Sequence, residues 1–133
     1  MREHEIVTAV RDLPGLADTD HATDATHATL AVLGERLAGD EPKNLAAELP
    51  EGIAEALPAT GRGATFGVEE FYRRVAEEEG RGCTPDGARE HARAVVAALK
   101  AGLSDDEFAG LARQLPEDYR ADLLTTAPLD ERR

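Results

Sequence analysis

Asp20, Asp24 and His27 stand at i, i+4 and i+7, a spacing that puts two carboxylates and an imidazole on one face of a helix. Such groups can ligate a divalent metal ion. At the same positions 66 residues later the chain carries Asp86, Glu90 and Arg93, which read as an acid–base ladder on a solvated face. The first set is read the same way, and no metal or cofactor is expected. Arg89, Arg93 and Lys100 form a basic stripe that could receive an anionic group of a partner; nearby acids, among them Glu77, Glu78 and Glu79, are expected to pair with it instead. Nucleophilic catalysis needs Ser, Cys or Thr beside an oriented base. The single serine, Ser104, is explained as a helix cap, and the single cysteine, Cys83, would need the fold to bring it to His91. His4, His21 and His91 read as surface or boundary histidines, because spacing sets no partner for any of them. Gly61-Arg62-Gly63 lacks the Lys-Ser/Thr pair and the preceding strand of a phosphate loop. No catalytic residue is predicted.

The elements that carry these residues follow from an internal repeat. Leu45-Ala46-Ala47-Glu48-Leu49-Pro50-Glu51 matches Leu111-Ala112-Arg113-Gln114-Leu115-Pro116-Glu117 at an offset of 66, and Leu33, Leu37 and Asp40 match Leu99, Leu103 and Asp106 at the same offset. Each unit is predicted to hold about four helices. The first covers about Arg2–Asp12 and Val68–Glu79, stopped by Pro14-Gly15 and by Gly80-Arg81-Gly82. The second starts at Asp18 or Thr84 and runs a stripe of Ala22, Thr26, Thr29, Leu30, Leu33 and Leu37, or Ala88, Ala92, Val95, Val96, Leu99 and Leu103. The third covers about Glu41–Glu48 and Asp105–Gln114, with Ser104 and Glu107 spaced for a capping box. Pro50 and Pro116 then each start a short fourth helix. The predicted architecture is an all-α helical bundle of two tandem units, residues 1–57 and 68–124, joined by a linker at 58–67 and followed by a fraying tail at 125–133. All five aromatics lie after position 65, so the second unit is expected to carry more stability, and Thr26 and Thr29 on the apolar stripe point to a looser first core.

Composition narrows the function classes. The chain has 133 residues, 41% of them hydrophobic, which suits one folded domain rather than an acidic disordered segment. Its net charge is −12, with 12 acids against 5 bases in residues 1–66 and 15 against 10 in the remainder. A polyanion is repelled by both halves, which argues against nucleic acid and against anionic membrane surfaces. Neither a membrane span nor a signal peptide is visible, so a cytoplasmic location is expected.

Leu33-Gly34-Glu35-Arg36-Leu37, the two Leu-Pro-Glu segments, and Glu70-Phe71-x-x-Arg74-Val75-Ala76 followed by His91-Ala92-Arg93-Ala94-Val95 together resemble the prokaryotic domain of unknown function 2267 (DUF2267) family, from about Glu3 to Leu124. The resemblance implies duplicated helical units and carries no catalytic pattern. The function expected is that of a noncatalytic interaction or scaffold module with a protein partner or a second copy. The rival is a small-ligand- or metal-binding protein, conceivably an enzyme, using the crevice between the units.

Overall fold

The computed structural model of the protein describes residues 3–12, 18–58 and 60–124. They form α1 (Glu3–Arg11), α2 (Thr19–Arg36), a two-residue strand β1 (Ala38–Gly39), α3 (Glu41–Ala46) and α4 (Glu51–Ala54). After these come a second short strand β2 (Gly61–Arg62), α5 (Val68–Glu79), α6 (Pro85–Gly102), α7 (Asp105–Arg113) and α8 (Glu117–Asp122). The all-α class holds. The proposed stop at Pro14-Gly15 and the tail at 125–133 lie outside the described residues, as does the side chain of His4.

Local chemistry sets the helix boundaries. Asp18 caps α2 by accepting from the amide of Asp20, and Thr84 caps α6 by accepting from that of Gly87. At α7 the expected capping box is complete: the Ser104 hydroxyl accepts from the Glu107 amide while the Glu107 carboxylate accepts from the Ser104 amide.

One hydrophobic cluster draws on both halves of the chain, including Ile6, Val10, Leu30, Leu33, Ile53, Phe71, Val75, Val95, Leu99 and Tyr119. Helix α1 packs on α2 and α6, and α2 packs on α5 and α6. Each fully buried large apolar side chain contributes about 1.5–3 kcal/mol of transfer free energy. Thr26 and Thr29 are fully buried, and each hydroxyl is satisfied by the carbonyl one turn back, Ala22 and Ala25 respectively, so these threonines leave no unpaired hydroxyl in the core.

The segment predicted as a linker is packed down. Gly39 and Ala38 pair antiparallel with Gly61 and Arg62, a ribbon too short to show in hydropathy. Pro58 rests on Gly34, where an added Cβ would lie 2.3 Å from the proline ring. Arg36 Nε donates to the Phe66 carbonyl, and Arg74 covers the Phe66 ring at 4.1 Å while bonding Glu35. The Gly34-Glu35-Arg36 motif therefore fastens Pro58 and Phe66 to α2.

Candidate functional site

Helix α5 buries Val68, Phe71, Tyr72, Val75 and Ala76 on one face, and the same helical spacing ends on Glu79. The Glu79 side chain is 0% exposed. A carboxylate there is doubly disfavoured, since it is removed from water and sits at the negative end of the α5 dipole. Directly after it, Gly80, Arg81 and Gly82 all adopt positive φ, a tight reversal that two glycines permit and that brings Cys83 back toward Glu79. Arg81 ties this turn to α2 through Nε and Nη2 on Asp24 Oδ2, at 3.0 and 2.8 Å.

Two imidazoles answer the buried carboxylate. His21 Nε2, in the first turn of α2, lies 2.8 Å from Glu79 Oε2, and His91 Nδ1, on α6, lies 2.9 Å from Oε1. Burial alone would raise the Glu79 carboxyl, but the hydrogen bonds from His91 and His21 outweigh it and hold the group below its ordinary value. An ionised carboxylate only accepts, so both ring nitrogens donate. The two rings meet edge to face at 5.9 Å. Cys83 Sγ lies 4.0 Å from His91 Nδ1, and burial together with the Glu79 charge pushes its thiol up to about 11. The thiol, imidazole and carboxylate thus come together in an order opposed to nucleophilic catalysis: the base is committed to Glu79 and the thiol is held protonated.

Among the described residues, the ligand atoms of Glu79, Cys83 and His91 lie within 4.8 Å of one another. The metal candidates read from the sequence do not form such a group. Asp20 is exposed, its amide engaged by the Asp18 cap and its charge close enough to favour the Arg81 cation; Asp24 is held by Arg81; and His27 Nε2 is 3.1 Å from the Gly52 carbonyl. Asp24 and His27 do share one shallow depression with Glu55, Glu78 and Glu79. In the basic stripe, Arg89 is paired not with Glu77–Glu79 but with Asp122 of α8, through two bonds of 2.9 Å, and Asp122 also accepts from the Tyr72 hydroxyl at 2.6 Å. These bonds, Arg89 first, lower Asp122 to about 2. Arg93 adds favourable charge beside Asp122, while Lys100 lies over the Phe108 ring at 5.8 Å.

Sequence reasoning missed the Glu79 cluster because Glu77-Glu78-Glu79 looks like a solvated run. The signal was present in the register of α5, where Glu79 follows Val75 and Ala76 at i+4 and i+3 on the buried face.

A second feature lies between α3 and α7. A cleft of about 280 Å³ has Leu37, Leu45 and Leu111 in its lining, with Glu41, Glu48, Asp106 and Glu107 among its polar groups and Arg113 as its one base. Partial burial first, and then the facing charge of Glu107, push the Glu48 carboxyl up, so the two acids crowd one another.

Among the described residues, no helix is long and apolar enough to cross a membrane. No curated protein matches the chain. The family model described as "Uncharacterized conserved protein (DUF2267)" matches residues 3–121, almost the whole sequence, and the chain belongs to the DUF2267 family.

Proposed function

We propose that this protein is a noncatalytic, cytoplasmic interaction module, made of a duplicated four-helix unit, that takes up a basic segment of a protein partner in the α3–α7 cleft. The observation that carries this reading is the lining of the cleft, where Glu41, Glu48, Asp106 and Glu107 face one base, Arg113, beside Leu37, Leu45 and Leu111. A lysine or arginine fits such a place, laying its methylene stem on the leucines and its charge between the carboxylates. The duplication is supported by spacing: α2 and α6 are both 18 residues long, and Thr19 and Pro85 start them 66 positions apart, as do Glu51 and Glu117 for α4 and α8. The cleft would then lie in the crevice between equivalent helices of the two units. Its negative rim is also the wrong sign for nucleic acid.

The test uses a fluorescein-labelled peptide of alternating lysine and leucine and the full chain, followed by anisotropy at low salt. Binding that weakens at least tenfold in Glu48→Lys, while an acidic peptide of equal length fails to bind, is expected. Equal affinity of the wild type and Glu48→Lys would overturn the reading. Glu107 is left intact in this test because it completes the α7 cap.

A further inference from the structure

Four side chains from three helices and one turn meet where the cleft reading makes no use of them. Glu79 closes α5, Cys83 sits on the reversal after it, His91 lies on α6 and His21 on α2. The described contacts give Glu79 no Lys or Arg partner; its hydrogen bonds come from the two imidazoles. A buried carboxylate with soft and borderline ligands beside it is the donor set of a transition ion rather than of calcium or magnesium, which take oxygen.

We propose that Glu79, Cys83 and His91 form a three-ligand site for a borderline-soft divalent transition ion, zinc foremost, with His21 holding the second oxygen of Glu79.

Geometry sets how far the groups must move. Ligands on a tetrahedral ion of zinc's bond lengths stand about 3.3–3.8 Å apart. Glu79 Oε1 and His91 Nδ1 are 2.9 Å apart, and Cys83 Sγ and His91 Nδ1 are 4.0 Å apart, so the first pair opens by under an ångström and the second closes slightly. On loading, Cys83 gives its thiol proton to solvent and His91 transfers its ring proton from Nδ1 to Nε2, which frees Nδ1 to coordinate. His21 Nε2 continues to donate to Oε2, fixing the carboxylate in the way outer-shell groups orient metal ligands. Cys83 and His91 are partly exposed while Glu79 is buried, which leaves a side from which an ion and a water for the fourth position can enter. The ion would bind α5, the reversal and α6 together.

The test is titration of the untagged, chelator-stripped full chain with cobalt(II) chloride, read by absorption, followed by displacement with zinc. Expected are the d–d bands of a four-coordinate ion and a thiolate-to-cobalt band, all removed by zinc. Cys83→Ser should abolish the thiolate band, His91→Gln should weaken binding at least tenfold, and His21→Gln should weaken it by about tenfold with the thiolate band kept. The paired variant Asp20→Asn, His27→Gln should bind as the wild type does. Far-UV circular dichroism identifies the variants that keep their helices, and only those are compared; Cys83→Ser changes one atom and serves where His91→Gln unfolds. Absence of cobalt binding, or cobalt spectra without a thiolate band, would overturn the proposal, the second outcome assigning the ion to oxygen and nitrogen ligands elsewhere.

Discussion

Glu79 Oε2 lies 2.8 Å from Nε2 of His21, 58 positions earlier in the chain, and this one contact joins the end of α5 to the start of α2 inside the protein. The His91 bond on the other oxygen extends the link to α6. Stability should therefore depend on this carboxylate more than on the many surface ion pairs.

The folded protein should lose stability in acid through Glu79. The folded-state pKa of Glu79 lies below its ordinary 4.5, so its contribution is fully present above about 4.5 and is lost as pH falls through the folded value. Urea midpoints measured in chelator should drop as the pH is lowered below about 4.5, and Glu79→Gln should flatten that drop. At neutral pH the same variant should cost about 1–3 kcal/mol, because the amide cannot accept from both imidazoles equally. Parallel pH profiles for the two proteins would count against the arrangement.

Cys83 should be a slow nucleophile. With its thiol at about 11, roughly a thousandth is thiolate at pH 8. Iodoacetamide modification of the metal-free protein should accelerate about tenfold per pH unit and level off near 11. Rapid modification at neutral pH, independent of pH, would be inconsistent with the burial and the Glu79 charge described for the thiol.

Two glycines should differ in a definite way. Gly34→Ala places a methyl group 2.3 Å from the Pro58 ring, and overpacking of this kind costs about 1–3 kcal/mol. Gly80→Ala meets nothing within 4 Å but must hold φ near +71° with ψ near −149°, a region essentially kept for glycine, at a purely backbone cost of about 1–3 kcal/mol. Denaturant midpoints rank the pair, and a Gly34→Ala protein as stable as the wild type would remove the close contact between α2 and Pro58.

At α8, packing should outweigh charge. Tyr119 is fully buried against Phe71, with its hydroxyl on the Phe66 carbonyl, and Tyr119→Ala should cost about 3–5 kcal/mol. The Arg89–Asp122 pair is 40% and 35% exposed, so Arg89→Ala should cost only about 0.5–1 kcal/mol despite its two bonds. Equal losses in the two variants would contradict that ordering.

Much of the fold is legible because five of the helices announce their own starts: Asp18, Thr84 and Ser104 cap where their side chains predict, and Pro50 and Pro116 precede the short helices. What the sequence hides depends on contacts between distant positions. The Ala38–Arg62 ribbon is set by backbone pairing, with no side-chain periodicity to reveal it. Arg89 finds Asp122 instead of the glutamates nearer in sequence because α8 folds back on α5, where Asp122 also accepts from Tyr72. The Glu79 cluster was half legible: the buried register of α5 points to it, whereas the arrival of His21 from α2 does not follow from any local spacing. The α3–α7 cleft likewise exists only once two helices of separate halves approach.

The most direct test of the interaction reading is an amide-resolved nuclear magnetic resonance titration of the full chain with the unlabelled lysine–leucine peptide. Saturable shifts confined to Leu45, Glu48, Glu107, Leu111 and their neighbours, lost in Glu48→Lys, are predicted. Shifts spread evenly over the acidic surface, or centred away from α3 and α7, would contradict it.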